Sequence, residues 1–280
     1  MKINNKLIDL LERLENIEKS RGKIFEARAY SKAYDAIINY NKPIETLKEI
    51  KNLKNIGKKI YKKFEDYLKT GSLPMLEEAK NDPRLIFYNI YGIGPKKAIE
   101  LVEKEKITSI KELREREDLL NDKQKIGLKY YEDILKKIPR KEIDTYFKTL
   151  TDIFEKIKDE HDYFEIVGSY RRKKLESGDI DIILSKGKTK SLTIARLNDK
   201  ATARRIDFMY SPPDEFPFST LYFTGSKNFN VVQRKIANEQ NLTLNEHGLY
   251  YLSDKGVKQG KVVDSKKKEI IFKDEKEIFD

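Results

Sequence analysis

Apolar residues follow a helical spacing through the first half of the chain. Over residues 3–17 they recur at intervals of three and four, as Ile3, Leu7, Leu10, Leu11, Leu14 and Ile17, which predicts an amphipathic helix. A second helical face runs from Ala29 to Ile38 and ends before Pro43. Short apolar clusters separated by polar turns continue to about residue 138, so the pattern predicts an all-helical first half.

The pattern changes from residue 163 onward. Short runs rich in β-branched and aromatic residues predict strands at 164–167, 180–184, 205–209 and 249–251. Helical spacing predicts helices at 141–159 and 227–240. We therefore expect an α+β second half, with Pro139-Arg140 as the hinge between the halves.

Residues 53–60 and 90–98 share one pattern, in which a tight turn stands between two helices. Gly92 and Gly94 permit a turn with positive φ, Pro95 suits the first turn of a helix, and Asn55 replaces the first glycine in the earlier copy. A helix-hairpin-helix turn of this kind presents backbone N–H groups to a phosphate. Two helical hairpins that merely pack together are the alternative, and a Lys-Lys pair after each turn favours phosphate binding.

Composition narrows the chemistry. The 280 residues include no cysteine and two histidines, so a disulfide framework, a thiol nucleophile and a zinc site of the usual ligands are excluded. The net charge is +11, and residues 1–140 account for +9 of it, which points to a polyanionic partner for the first half. No apolar run approaches the roughly 20 residues of a membrane span, and we expect a soluble, intracellular protein with no membrane partner.

Paired carboxylates are the strongest chemical signal. On a strand, Asp179 and Asp181 share one face, and two like charges so placed need a cation between them; Mg²⁺ suits oxygen ligands. Gly168–Arg172 supplies a hydroxyl and guanidinium groups for phosphate, and Asp207, with Arg205 beside it, is the best third carboxylate. A solvated strand edge is the alternative for an isolated Asp-x-Asp. The combination predicts phosphoryl or nucleotidyl transfer.

These motifs resemble those of the family X DNA polymerases over nearly the whole chain. The matching segments are Gly168–Arg172, Ser177–Asp181, Leu221–Ser226, Leu244–Glu246 and the two hairpins. The resemblance implies a multidomain fold, with an all-α half followed by an α+β nucleotidyltransferase palm and a small α+β thumb. The implied domains are a lyase-like helical domain (1–80), a helical fingers-like domain (81–140), a shortened palm (141–211) and a nucleotide-selecting thumb (212–280).

The resemblance also implies an active site. Asp179 and Asp181 would bind two Mg²⁺ ions, with Mn²⁺ as a substitute, and Asp207 would bind one of them and help to deprotonate the primer 3′-hydroxyl. The implied nucleotide contacts are Arg140, Ser169, Arg172, Ser177, Gly178, Tyr222, Phe223, Gly225 and Asn230.

A second implied site lies in the first half. Lys63 matches the Schiff-base lysine of a 5′-deoxyribose-phosphate lyase; Lys59 lies four residues earlier on the same helix face, and a neighbouring cation favours a free amine. A solvated lysine is the alternative. The implied DNA contacts are Tyr30, Lys51, Gly57, Lys59, Gly92, Gly94, Arg205 and Arg234. Backbone carbonyls would hold Na⁺ or K⁺ at Lys51, Leu53, Ile56, Tyr88, Ile90 and Ile93.

The chain departs from the family pattern in places. Glu26 and Met75 stand where lysines are expected, which makes the lyase pocket less basic. The segment 182–206, between the second and third carboxylates, is far shorter than the corresponding segment of the family. We therefore expect the sheet to lack cover on one side. The thumb is also expected to be slightly shorter than usual.

The function implied is template-directed filling of short gaps in base excision repair, by a monomer acting on gapped or nicked DNA and deoxynucleoside triphosphates. Two alternatives stay open. One is a gap-binding scaffold whose shortened palm does not catalyse, although three retained carboxylates speak against it. The other is a template-independent terminal transferase.

Overall fold

The computed structural model describes residues 3–40, 42–160, 162–185, 190–263 and 266–279. It divides into two compact units, Met1–Tyr131 and Glu132–Asp280. Residues 132–140, which the sequence analysis grouped with the first half, lie in the second unit. The finer division into four domains stays a prediction. Within the described ranges, no helix is both long and apolar enough to cross a membrane.

The first unit contains helices and turns, and the described residues before 132 include no strand. The α-helices are α1 (Ile3–Ser20), α2 (Ile24–Ile38), α3 (Lys58–Thr70), α4 (Pro74–Ala79), α5 (Pro83–Tyr88), α6 (Pro95–Ile99), α7 (Ile110–Glu115) and α8 (Asp122–Lys129). Helix α9 (Tyr131–Leu135) spans the boundary between the units. The predicted all-helical first half is confirmed.

The face of α1 predicted from sequence forms the centre of the first core. Leu7, Leu10, Leu11 and Leu14 are fully buried against α2 and its neighbours. Burying a leucine side chain stabilises a fold by about 1.5–3 kcal/mol, so this face holds the first two helices together. A second cluster around Phe87 and Leu101 forms the core of residues 87–131.

The two hairpins have the same local geometry. Asn55 and Gly92 occupy equivalent positions with φ of 71° and 86°, which is the left-handed region that asparagine and glycine tolerate best. In each turn a backbone N–H donates across three residues, from Ile56 to Leu53 and from Ile93 to Ile90, both at 3.0 Å. The internal repeat is therefore confirmed as a repeat of structure.

The second unit is built around a four-stranded sheet in the order β2-β4-β6-β5. Its strands are β2 (Phe164–Ile166), β4 (Ile180–Leu184), β5 (Ser191–Ala195) and β6 (Arg204–Tyr210), and a short pair joins β1 (Ile138–Pro139) to β3 (Glu176–Ser177). Strands β4 and β6 are parallel, whereas the other pairs are antiparallel. The three predicted strands of this sheet are confirmed, and β5 was not predicted.

Helices cover both faces of this sheet. Helix α10 (Arg140–Ile157) buries Ile143 and Tyr146 against Ile180, Ile182 and Ile206. On the other face, Ile183 and Met209 pack with residues near α12 (Phe216–Thr224). The expectation of an uncovered face was wrong, because a helix after the sheet supplies the cover that the short segment 182–206 lacks.

A smaller sheet follows α12 and α13 (Lys227–Glu239), in the order β7-β8-β9. Its strands are β7 (Leu242–Asn245), β8 (Gly248–Leu252) and β9 (Lys258–Lys261). Phe218, Leu221, Ala237 and Leu244 form the core between these helices and strands. The predicted helix at 227–240 and strand at 249–251 are confirmed.

Polar contacts attach residues 132–140 to the second unit. The Asp133 carboxylate accepts the Ala203 N–H at 3.0 Å. The Arg204 side chain is only 7% exposed. It donates two 2.7 Å hydrogen bonds to Glu142 and one of 3.1 Å to the Lys136 carbonyl. The bidentate Arg204–Glu142 pair is strongly directional and joins β6 to α10. Residues 132–140 are held by the contacts of Asp133 and the Lys136 carbonyl with the start of β6.

Candidate active site

Three carboxylates meet at one end of the parallel strand pair. In the register of β4 and β6, Asp181 lies directly opposite Asp207. Asp179 is the residue just before β4 begins. One oxygen from each of the three lies within 4.8 Å of the others. The strand alternation that places Ile180 and Ile182 in the core turns these carboxylates to the opposite face.

The carboxylates repel one another in a partly dry setting. Burial, followed by the charges of Asp179 and Asp207, raises the pKa of Asp181 to about 7. Burial also raises the pKa of Asp207, although Arg205 opposes the shift. The cluster therefore carries unfavourable charge that a nearby cation offsets.

In this structure Arg205 provides one such cation. Its guanidinium contacts Asp179 and donates hydrogen bonds of 3.2 Å to both oxygens of Asp207. Burial would lower the pKa of Arg205, but Asp179 and Asp207 outweigh that effect and raise it. Arg205 thus orients Asp207 and links the first carboxylate to the third, as its position two residues from Asp207 on the same strand face suggested.

The donor set fits a hard divalent cation. All three candidate ligands are carboxylate oxygens on neighbouring backbone positions, and oxygen ligands are those preferred by Mg²⁺ and Mn²⁺. His247, a softer donor, contacts Glu215 at 2.7 Å and is not part of this cluster. The geometry therefore supports divalent-metal binding without distinguishing Mg²⁺ from Mn²⁺.

An open cleft of about 1010 Å³ lies over Asp179 and Asp181. Seven other residues singled out from the sequence line it, namely Ser169, Arg172, Tyr222, Phe223, Gly225, Asn230 and Arg234. Arg140, Ser177, Gly178 and Asp207 are not among its lining residues. The structure thus brings together most of the residues predicted to contact a nucleotide.

The cleft also includes Lys227 and Val231, which the sequence analysis missed. Both lie on α13, where Lys227, Val231 and Arg234 follow one another at intervals of four and three. That spacing places them on one helix face. Once Arg234 was assigned to the cleft, helical spacing would have predicted Lys227 and Val231 there as well.

Helix α11 (Gly168–Arg171) shapes one wall of the cleft. The Ser169 hydroxyl donates to Ser177 at 2.7 Å, and Arg172 donates to the Thr224 carbonyl. Ser177 thus reaches the cleft indirectly, through Ser169. On the opposite wall, Asn230 donates to the Tyr222 carbonyl at 2.7 Å, and the Tyr222 and Phe223 rings meet nearly at right angles.

Gly168 is required where the turn touches the carboxylates. Its φ is +61°, and a Cβ there would overlap the Asp181 carboxylate. We expect Gly168→Ala to lower the free energy of unfolding by about 2 kcal/mol, measured by urea unfolding. Gly256→Ala is the matched control, because Gly256 has a φ of +71° and open space around it. Equal losses in the two variants would show that the contact with Asp181 is unimportant.

The predicted lyase residues lie on the first unit. Lys63 is half-buried on α3, and Lys59 is exposed one turn earlier. Their neighbour Lys62 is paired with Asp66 at 3.0 Å, whereas Lys59 and Lys63 have no ion pair or hydrogen bond among the described residues. Both amines are therefore available to a ligand.

The other predicted DNA contacts of this unit are distributed between its surface and its core. Lys51 and Gly57 are exposed, whereas Tyr30 is buried. Burial, followed by Glu18 and Glu26, raises the pKa of Tyr30 to about 12, so its phenol stays neutral. Glu26 is exposed and Met75 packs against the core.

The carbonyls predicted to hold monovalent cations lie in and beside the hairpin turns. Leu53 and Ile90 each accept one hydrogen bond within their turns, and a carbonyl oxygen has a second lone pair. Gly94 is exposed, while the Gly92 carbonyl accepts a 3.2 Å hydrogen bond from Gln124.

Models of known protein families match successive parts of the chain. A helix-hairpin-helix domain matches residues 2–73, and the fingers domain of DNA polymerase lambda matches residues 85–135. The DNA polymerase beta palm matches residues 137–198, and the DNA polymerase beta thumb matches residues 219–280.

Similar proteins include DNA polymerase lambda of Arabidopsis thaliana, 28% identical over 89% of this chain and 54% of the relative. DNA polymerase lambda of Rattus norvegicus is 26% identical over 92% of this chain and 52% of the relative. A type-X family DNA polymerase of Schizosaccharomyces pombe is 29% identical over 68% of this chain and 38% of the relative. The chain thus spans about half the length of the first two relatives and less of the third. Helix-hairpin-helix, fingers, palm and thumb models follow one another along its sequence, so the chain is similar to DNA polymerases of the X family over most of its length.

Proposed function

We propose that this protein is a template-directed DNA polymerase that fills short gaps during base excision repair. The observation that carries the proposal is the group of three carboxylates beside a cleft whose walls bear serine, arginine, asparagine and aromatic side chains. Oxygen ligands for divalent cations and guanidinium groups for phosphates together suit the transfer of a nucleotidyl group. The similarity to DNA polymerases lambda supports the same activity.

The carboxylates would hold the metal ions and handle one proton. Asp179 and Asp181 are proposed to bind two Mg²⁺ ions and Asp207 to bind one of them. When bound, the ions stabilise the charge on the attacking and leaving oxygens. Asp207 would accept the proton of the primer 3′-hydroxyl, and Arg205 would keep its carboxylate oriented through the two 3.2 Å hydrogen bonds.

The other cleft residues would bind and select the nucleotide. Ser169 and Arg172 on one wall are proposed to bind the triphosphate, with the Ser177-Gly178 turn and Arg140 close by. Tyr222, Phe223 and Gly225 would line the sugar pocket and disfavour a ribose. Asn230 and Arg234, on α13, would contact the minor-groove edge of the new base pair and the template.

DNA would bind through the basic first half. The hairpin turns at Gly57, Gly92 and Gly94 present backbone groups at the starts of helices, where phosphates are favoured. Their carbonyls would hold Na⁺ or K⁺ against the DNA backbone. Such contacts read no base sequence, which suits an enzyme that acts wherever a gap occurs.

The unpaired amines on α3 favour a second activity, removal of a 5′-deoxyribose phosphate. The Lys63 amine would attack the sugar aldehyde and form a Schiff base with loss of water, after which β-elimination releases the sugar from the DNA. Lys59, with Lys51 and Tyr30, would bind the 5′-phosphate. Lys62 is already paired with Asp66, which leaves Lys63 as the better nucleophile.

The proposed polymerase activity is tested on DNA with a one-nucleotide gap and a 5′-phosphate, in Mg²⁺, with each deoxynucleotide added separately. We expect the complementary nucleotide to be incorporated at least about 10²-fold faster than the others, and we expect incorporation to stop when the template strand is omitted. Primer extension is followed by rapid quench and gel electrophoresis, with binding to the gap measured by fluorescence anisotropy.

The alternatives give different results in the same assay. Extension without a template would identify a terminal transferase. A folded protein that binds the gap and extends nothing in Mg²⁺ or Mn²⁺ would be a scaffold. Either result would overturn the proposed function.

A further inference from the structure

Three residues on one face of α10 contact the side chain of Tyr170. Arg140, Asp144 and Phe147 follow one another at intervals of four and three on this helix, so they share a face. All three contact the Tyr170 ring or its hydroxyl. All of these residues belong to the second unit.

The three contacts differ in kind. The Arg140 guanidinium lies over the Tyr170 ring at 4.0 Å from its centre, a cation–π arrangement. The Tyr170 hydroxyl donates a 2.7 Å hydrogen bond to Asp144. The Phe147 ring packs against the same ring with 6.3 Å between centres. Together they fix the position and the rotation of the phenol.

Arg140 also holds the backbone at Tyr170. Its guanidinium donates to the Tyr170 carbonyl at 2.7 Å, and its own backbone N–H donates to the Leu175 carbonyl at 2.8 Å. Residues 170–175 are thus attached to the first turn of α10 at both ends.

Tyr170 lies between residues that line the cleft. Ser169 precedes it, Arg172 follows two residues later, and both face the cavity, whereas Tyr170 is not among the lining residues. Because α11 is a single turn, its own hydrogen bonds cannot hold it rigidly. Its orientation must therefore come from contacts such as those of Tyr170.

We propose that Tyr170 is a positioning residue that holds the Ser169 and Arg172 side chains in place for the triphosphate, through its contacts with Arg140 and Asp144. This inference rests on the proposed function, since it concerns the same cleft. Tyr170 would touch neither the nucleotide nor the metal ions. Its hydroxyl and its ring would act through the backbone of α11, so their loss would weaken triphosphate binding.

The test uses variants that remove the hydroxyl, the acceptor, or both. Tyr170→Phe and Asp144→Ala are each expected to raise the KM for the complementary deoxynucleotide on the order of fivefold, with kcat changed much less. The KM of the double variant should be no higher than that of either single variant, because the two substitutions remove the same hydrogen bond. Tyr170→Leu, which also removes the ring, should raise the KM further.

Tyr163→Phe is the matched control. Tyr163 belongs to the same unit, packs against Phe216, and lies outside the cleft, so its KM should equal that of the wild type. A purely structural role for Tyr170 would reduce the fraction of folded enzyme, which lowers the apparent kcat and leaves KM unchanged. That pattern, or additive effects in the double variant, would overturn the inference.

Nucleotide binding is also measured without chemistry, on gapped DNA that carries a dideoxy-terminated primer. The Kd for the complementary triphosphate should rise in Tyr170→Phe by the same factor as KM. If the wild type incorporates the nucleotide but the Kd of Tyr170→Phe is unchanged, the inference about Tyr170 is overturned and the proposed function is not. If the wild type binds the triphosphate but does not incorporate it, the proposed function fails while the Kd ratio still tests Tyr170. If the wild type neither binds nor incorporates the triphosphate, both the inference and the proposed function are overturned.

Discussion

Replacing Asp207 with alanine is expected to reduce nucleotide incorporation by on the order of 10³-fold, while DNA binding and Schiff-base trapping stay at wild-type levels. The physical reason is that Asp207 lies directly opposite Asp181 in the β4–β6 register and is the candidate acceptor of the primer proton. The first unit, which carries the hairpins and the lysines, does not include β6. Extension of the gapped primer under single-turnover conditions measures the loss.

The variant should remain folded. Asp207 is buried and its pKa is raised chiefly by burial, so removing it relieves an unfavourable charge, and Arg205 keeps its contact with Asp179. Asp207→Asn, which preserves the shape of the side chain, should show a similar loss of incorporation. Melting temperatures of both variants check the fold.

Asp152→Ala is the matched control for a lost carboxylate. Asp152 is exposed on α10 and makes no ion pair among the described residues. Its variant should extend the primer at the wild-type rate. Equal loss of incorporation, DNA binding and trapping in Asp207→Ala would instead indicate a folding defect and would remove the support for a catalytic role.

The positions of the carboxylates illustrate what the sequence predicts. Strand alternation alone places Asp179 and Asp181 on one face, because the side-chain period of a strand is two residues. Alternation does not predict the register that places Asp181 opposite Asp207. That register depends on a parallel pairing between distant segments, and such pairing is decided by packing of the whole sheet.

Two of the strands missed from the sequence lie at sheet edges. Strand β9 (Lys258–Lys261) has no apolar alternation, and β5 (Ser191–Ala195) is a short edge strand with little burial. Strand β9 thus lacks the pattern by which a half-buried strand is recognised, whereas in β5 the alternation of Leu192 and Ile194 with Ser191 and Thr193 was missed. Their partners β8 and β6 hold them through backbone hydrogen bonds, which the side chains do not reveal.

The cover of the sheet could not be predicted for another reason. Helix α12 is apolar around most of its circumference, so it lacks the one-sided spacing that identifies a surface helix. The structure shows that it packs against the sheet on one side and against α13 and β7 on another. A helix buried on several sides has no periodic signal to read.

Lys63→Ala is expected to lower borohydride trapping to a 5′-deoxyribose phosphate by at least about tenfold, while nucleotide incorporation on an ordinary one-nucleotide gap continues. The half-buried Lys63 amine has no partner among the described residues, so it is available to attack the sugar aldehyde. Lys63→Arg should give the same loss, because arginine keeps the positive charge and offers no nucleophilic amine.

Lysines on the same helix provide the controls. Lys62→Ala removes an adjacent amine that is already paired with Asp66, and its trapping should match the wild type. Lys59→Ala should weaken binding of the 5′-phosphate, so trapping falls at low DNA concentration and recovers at saturation. Undiminished trapping in Lys63→Ala, with loss in Lys59→Ala at saturating DNA, would assign the nucleophile to Lys59. Loss in none of these variants would show that α3 does not supply the Schiff base.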